Sequence, residues 1–486
     1  MAESPVKEGV LWVGTDDGNV QVSRDGGRNW KNVVDRMSGV PKNTYVTRVI
    51  ASAASAGRAY VTFDGHRNDD FKPYVFVTEN FGDSWKAIAG NLPQPANVIR
   101  EHPRNPNLLF IGTEFGLWAS FNRGASWMQI KNNLPTVPVD DIAIHPREND
   151  LILGTHGRSI WVLDDITALE QMTETVAAAD AHLFDVRPAT MWRQLLNKGS
   201  TGSKTFIAQN PPYGAIIHYY LREKAKEKVR ITVHDKAGNQ INEVMMVRNE
   251  PGLHRTTWDF RFQPPFPMTQ AAPGSGFALG FARGPRVLPG EYLIKLNIDG
   301  KDVISKSVTV EEDPRIQIAP ADAEARLKTL LAVNRLQRSG NDALRSLANL
   351  RKEISASQEN LKKQSNVPDQ INAAVISLGQ EMDRLQRRLI PQIGNTNQQE
   401  NAGPADPERL SAVLPRVSQV FNALESYTEA PSARQQDQLR KFTAQLNSLI
   451  EQVNKLITET VPNLNKQIEA AGASPIKAGE AIAPLQ

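Results

Sequence analysis

The chain has 486 residues, 40% hydrophobic and 22% charged, with 56 Lys plus Arg against 53 Asp plus Glu. That length points to about three domains, and a net charge of +3 excludes a polycation built to bind nucleic acid by counterion release. Zero cysteines exclude disulfides, thiol catalysis and Cys-ligated metals; no apolar run is long enough to span a membrane, and MAESPVKEG lacks the core of a secretory leader.

In chain order, Gly9 to about Leu169 is a series of short apolar runs (LWVGT, NVQVS, AYVTF, YVFVT, LLFIGT, LILGT) separated by Gly, Asn and Asp, which predicts β-structure. Between Phe206 and Glu312, runs such as AIIHYYL, VRITVHD and EYLIKLNI surround a Pro/Gly-rich insertion from Gln263 to Gly290. They predict an immunoglobulin-like or fibronectin-like sandwich. After Pro320 the apolar residues fall at helical spacing. Leu439, Phe442, Leu446, Leu449, Val453 and Leu456 form a heptad stripe, Leu344, Leu347, Ile354 and Leu361 a second, and Pro368, Pro391, Pro407 and Pro431 punctuate helices that include Asp369–Leu389 and Glu408–Leu424. A bundle packing on itself is expected.

Internal repeats are the most specific signal. Ser23, Asp25, Gly27 and Trp30 recur as Thr78, Asn80, Gly82 and Trp85, and again as Ser120, Asn122, Gly124 and Trp127. A short acceptor side chain closes a tight turn, glycine supplies positive φ, and Trp packs the following strand. A Gly-Thr element recurs at Gly14, Gly112 and Gly154; 42 residues separate the last two, and 98, two units of 49, the first two. These periods suit four-stranded propeller blades. Lettering strands A to D from the channel outward gives BCD, ABCD, ABCD, ABC, or fourteen strands in three and a half blades. An open arc exposes blade faces and strand edges. The missing N-terminal blades are therefore expected from the same longer chain or from another chain. The expected boundaries are a partial propeller over 1–169, a linker over 170–204, a sandwich over 205–314, a helical bundle over 320–470 and a flexible tail over 471–486.

The hydroxyl-x-Asp-x-Gly-x-x-Trp pattern resembles the Asp-box (BNR-type) repeat, and residues 9–169, with VGTDDGNVQVSRDGGRNW and GTHGRSIWVLDD, resemble bacterial sortilin-like propeller proteins often labelled glycosyl hydrolases. The resemblance covers about a third of the chain and departs from the pattern at Asn80 and Asn122. It implies a periplasmic or extracellular location and a protein, peptide or glycan ligand. PGLHRTTWDFRF followed by LPGEYLIKLNIDGK is similar to immunoglobulin-like modules of bacterial surface and flagellar hook-cap proteins, and implies sandwich packing, with no site there.

In a propeller the B–C turns crowd one mouth of the channel. They carry Asp16 and Asp17, then Asp64, His66, Arg67, Asp69 and Asp70 in a long segment, then Glu114 and Phe115, then His156 and Arg158. Long loops on rigid scaffolds often recognise ligands. Glycoside hydrolysis needs two carboxyl groups, one with a raised pKa; Asp69, Asp70 and Glu114 are the catalytic candidates, and the other rim residues are ligand-binding candidates. Acidic residues also simply favour turns, and the scattered Arg67, Arg100 and Arg158 do not form a sialidase triad. A noncatalytic binding module is the favoured expectation and a glycoside hydrolase the alternative, with no metal and no cofactor.

Overall fold

The computed structural model describes residues 1–193, 204, 208–245, 247–266, 283–362, 368–391 and 412–483. Short apolar runs followed by turn residues produce four antiparallel meanders in succession. The first holds β1 (Ala2–Glu3), β2 (Leu11–Gly14), β3 (Val20–Ser23) and β4 (Lys31–Asn32). The second holds β5 (Tyr45–Ala51), β6 (Ala59–Gly65), β7 (Asp70–Thr78) and β8 (Lys86–Ala87). The third holds β9 (Ala96–Glu101), β10 (Leu109–Thr113), β11 (Gly116–Ser120) and β12 (Met128–Ile130), and the fourth β13 (Val139–Ile144), β14 (Leu151–Thr155) and β15 (Ile160–Leu163). The expected strand tally lacked β1. Two residues are too few to show a strand period, yet Ala2 pairs with Trp12 and the Ser4 amide donates to the Val10 carbonyl at 2.9 Å.

Successive sheets stack face to face, and their first strands are neighbours: β5 packs against β1 and β9, and β9 against β13. Trp12, Val20, Val46 and Phe63 fill the first interface, Ile50, Tyr60, Ile99 and Ile111 the second, and Val98, Phe110, Val139 and Leu153 the third. Burying each such side chain contributes about 1.5–3 kcal/mol. The arrangement is consistent with a partial propeller, and no barrel closes among the described residues.

The stretch expected as a linker instead supplies strands. Beyond two short helices, α1 (Thr167–Glu170) and α2 (Glu174–Ala178), β16 (Ala181–Leu183) pairs with β18 (Ala215–Leu221), which pairs with β21 (Gly252–Trp258). The facing sheet has the order β17 (Ala189–Met191), β23 (Lys301–Glu312), β22 (Gly290–Ile298), β19 (Val229–His234), β20 (Gln240–Glu243). Strands of three residues carry almost no alternation, but Leu183 and Met191 are buried in the core shared by the two sheets, with Ile217, Tyr219, Trp258 and Leu296. The insertion at 267–282 lies outside the described residues.

Helices follow: α3 (Pro320–Lys362), α4 (Asp369–Leu389), α5 (Val413–Glu425), α6 (Ala433–Lys455) and α7 (Val461–Ala470), the last two joined by a π turn over Leu456–Thr460. A capping box at Ser432 and Gln435 starts α6. Both leucine-rich stripes enter one core: Phe442, Leu446, Leu449 and Val453 bury with Leu344, Leu347, Ile354 and Leu361. The helices thus partner one another. Pro407 and the expected helix start at Glu408 lie outside the described residues. The expected flexible tail docks on the bundle as far as the structure describes it. Ala473 and Ile476 are buried, and Asn465 and Asn454 each bond both backbone groups of Ile476 and Ile482 respectively, at 2.7–2.8 Å. Alanine and glycine richness concealed this, because the fixing contacts come from asparagines 11 and 28 residues away.

Candidate functional site

The three repeated octapeptides fold into turns with one bonding plan. Ser23 Oγ accepts from the Gly27 amide at 2.9 Å and donates to Asp25 Oδ1 at 2.8 Å, and Asp25 Oδ1 accepts from the Asn29 amide at 2.9 Å. Thr78, Gly82, Asn80 and Ser84 repeat this at 2.9–3.0 Å, and Ser120, Gly124, Asn122 and Ser126 at 2.8–3.0 Å. Gly27, Gly82 and Gly124 all have φ between 81° and 89°. Asn keeps the bonds shared by all three turns because these use one acceptor oxygen; in the first turn Asp25 Oδ2 accepts a further bond from Asn29 Nδ2 at 2.7 Å. Amides from Asn29, reinforced by its side chain and Ser23, hold the Asp25 carboxyl down to about 2.

The tryptophans reach backward. Trp127 is 4% exposed and donates from Nε1 to the Ile88 carbonyl of the preceding sheet at 2.8 Å; Trp85 meets Trp12 edge-on at 5.9 Å. Trp30 has no preceding sheet among the described residues, is 40% exposed, and donates to Gly27 of its own turn.

All four B–C turns emerge at the same end of their sheets, because the meanders repeat with the same polarity. Three of their carboxylates, Asp17, Asp64 and Asp70, are committed locally. Asp17 accepts from Thr15 and Asn19, which hold its carboxyl below the usual range, with Asp16 exposed beside it. Asp64 is buried and accepts from the His66 amide at 2.9 Å while bonding the His66 ring. Asp69 sits at φ 60°, ending a short 3-10 turn, and Asp70 accepts from the Tyr74 hydroxyl at 2.6 Å. That bond holds Asp70 below its ordinary range, while burial, then the same contact, pushes Tyr74 up to about 12. Glu114 accepts from Asn97 Nδ2 at 3.3 Å. His156 lies 3.5 Å from Asp140, the Arg158 carbonyl accepts from Trp161 Nε1 at 3.0 Å, and the Arg67 guanidinium covers the Tyr45 ring at 4.9 Å. Two aromatic rings remain open on this rim: Phe115, 53% exposed, and Phe71, 61% exposed, the latter just beyond the residues singled out in the sequence.

Two features escaped the sequence reading. Arg48 of β5 and Arg100 of β9 both approach Asp141 of β13, at 2.9 and 3.9 Å, so three successive first strands share one ionic cluster. Burial lowers the Arg100 pKa. Charged residues inside strand runs were the available signal. The second is a cleft of about 950 Å³ between the fourth sheet and the sandwich, lined by Asp150, Asp164, Arg187, Trp192, Tyr213 and Glu311. Burial, and then the charge of Asp150, raise the Asp164 pKa. No sequence signal joins residues from two folding units in this way.

No protein-family model matches the chain. A stretch of 96 residues is 33% identical to an oligoxyloglucan-reducing end-specific xyloglucanase of Emericella nidulans. The match takes in 18% of this chain and 10% of that enzyme, so the chain spans about a tenth of the curated relative's length. Among solved structures, the GH74 xyloglucanase from Xanthomonas campestris aligns at 12% identity and TM-score 0.30, covering 63% of this chain and 53% of that one. YCF48 from Cyanidioschyzon merolae aligns at 18% identity and TM-score 0.23, covering 33% and 53%. Apo AztD from Citrobacter koseri aligns at 10% identity and TM-score 0.22, covering 64% and 72%. At these TM-scores none of the three bears on the chemistry of the site.

Proposed function

We propose that the chain is the ligand-binding portion of an extracytoplasmic Asp-box propeller protein of sortilin-like type, and that its B–C rim holds a glycan without cleaving it. The observation that carries this reading is the state of the rim. Asp17, Asp64 and Asp70 are engaged by neighbours in their own turns, Asp17 and Asp70 are held ionised, and Phe71 and Phe115 stand open to stack on an apolar sugar face. A general acid needs the opposite shift. The matched fungal enzyme is named for oligoxyloglucan, which makes xyloglucan oligosaccharides the first ligands to test. Titration calorimetry with such oligosaccharides, run beside a reducing-sugar assay, is the experiment: binding without turnover supports the reading, and turnover overturns it.

The arc is read as completed by further sheets, in the same longer chain or another. Support comes from both outer faces, where Trp30 on one side and Ile160 and Val162 on the other are exposed. A glycoside hydrolase remains the second reading, but its acid moves from the rim to the cleft, where Asp164 has the raised pKa and Asp150 is the neighbouring carboxylate.

A further inference from the structure

Where the sandwich meets the helical bundle, arginines outnumber the carboxylates that face them. Arg261 Nη1 bonds Glu425 at 3.0 Å and the Gly284 carbonyl at 2.7 Å, and its Nε lies 3.8 Å from the half-exposed Asp259. Arg286 Nε stands 4.0 Å from the same Glu425, and Arg193 Nε 3.5 Å from Glu312, both too far or too poorly aligned to donate a hydrogen bond. Among the described residues, Arg326 donates to the Tyr427 carbonyl, at 2.7 Å. Among the described residues, Arg193 Nε and Arg286 Nε are therefore buried donors without a partner, and so is the nearby Tyr213 hydroxyl. Leaving such donors unmade is costly.

Arg193, Arg286 and Arg326 line one cavity, with Glu312, Glu425 and apolar side chains of β17 and α3. It offers about 30 Å³, where one water-sized atom needs about 10–15 Å³, so two oxygen atoms fit. Burial, then repulsion from Arg193, lowers the Arg326 pKa, in keeping with an excess of positive charge. The adjoining stretches 194–207 and 267–282 contain no Asp or Glu, so they bring no countercharge of their own.

We propose that this cavity binds a small oxyanion, two of whose oxygens accept from Arg193 and Arg286 while Arg326 supplies further charge, and that the anion ties the bundle to the sandwich. Guanidinium groups suit this because their planar N–H forks match oxyanion geometry. Inorganic phosphate is the probe. The melting midpoint of the full chain is measured against phosphate concentration, with sodium chloride at matched ionic strength as the reference. A saturable rise is expected, with apparent affinity falling about tenfold in Arg193→Gln and in Arg286→Gln. A rise equal to that in chloride, or one that both variants show unchanged from the parent chain and that so reflects general exclusion of phosphate from protein surfaces, overturns the proposal. If either variant fails to fold, equilibrium dialysis of the unaltered chain with radiolabelled phosphate decides: one bound equivalent supports the site and none refutes it.

Discussion

Gly124 lies directly against Ile88: a Cβ built on Gly124 would meet the Ile88 side chain at 2.9 Å. Gly82 has the same relation to Val33 at 3.0 Å, whereas at Gly27 the nearest atom is 3.6 Å away. All three glycines adopt positive φ, so alanine carries about 1–2 kcal/mol of backbone strain at each. Only two also face overpacking, worth about 1–3 kcal/mol. Gly124→Ala is expected to destabilise the chain more than Gly27→Ala, measured by denaturant midpoints at unchanged m-value. Equal losses would mean that the turn, and not sheet stacking, fixes the glycine.

The Gly-Thr repeat shows the same asymmetry toward the other side. A Cβ on Gly14 would meet Val46 at 2.3 Å and one on Gly112 the Val139 carbonyl at 2.4 Å, both on the first strand of the next sheet, while Gly154 has nothing nearer than 3.6 Å. The repeats were therefore legible as turns and as stacking units, since one residue type recurs where one geometric demand recurs. What the sequence hid depends on contacts made across folding units. Arg48 meets Asp141 from 93 residues away, and Leu183 and Met191 join a core whose longer strands begin only at Ala215. Three-residue strands have no period to read, so 170–204 looked like a linker.

Tryptophan truncation should separate covered from uncovered faces. Trp127→Ala removes a buried ring and its bond to Ile88, and is expected to cost about 3–5 kcal/mol. Trp30→Ala, at a 40% exposed ring, is expected to cost no more than about 1.5 kcal/mol in this chain. If further sheets stack on that face in a longer protein, the cost of the Trp30 change rises there. An equal cost in both settings would argue against a sheet covering Trp30.

Acid titration should distinguish the Asp25 position from its counterparts in the other two turns. A carboxyl held at about 2 when folded, against its ordinary 3.8, contributes stability that is fully present above pH 3.8 and is lost as pH falls through about 2. At the equivalent position the sister turns carry Asn80 and Asn122, which do not titrate; the second turn's own acid dependence comes from Asp83, which Lys31 and Arg36 hold below its ordinary range. Asp25→Asn keeps the Oδ1 acceptor but loses the charge and the bond from Asn29 Nδ2, so its neutral-pH stability is expected to fall below that of the parent while the acid limb flattens between about pH 4 and pH 2. An unchanged limb in a pH series of thermal melts would show that Asp25 has no low pKa.

The rim and the cleft make separable demands on a sugar ligand. If the rim binds, Phe71→Ala and Phe115→Ala each remove a stacking surface worth about 0.5–1.5 kcal/mol, so oligosaccharide affinity should fall by roughly two- to tenfold while Asp164→Asn leaves it unchanged. If instead the chain hydrolyses glycans through the cleft, Asp164→Asn abolishes turnover and the phenylalanine changes spare it. Asp164 also has a stability signature independent of any ligand. Its folded pKa is raised, so the folded state holds that proton more tightly than the unfolded chain, and stability falls as pH rises from 3.8 through the raised value. Asp164→Asn should remove that decline and leave the chain more stable than its parent near neutral pH, as followed by chemical denaturation across pH 4 to 7.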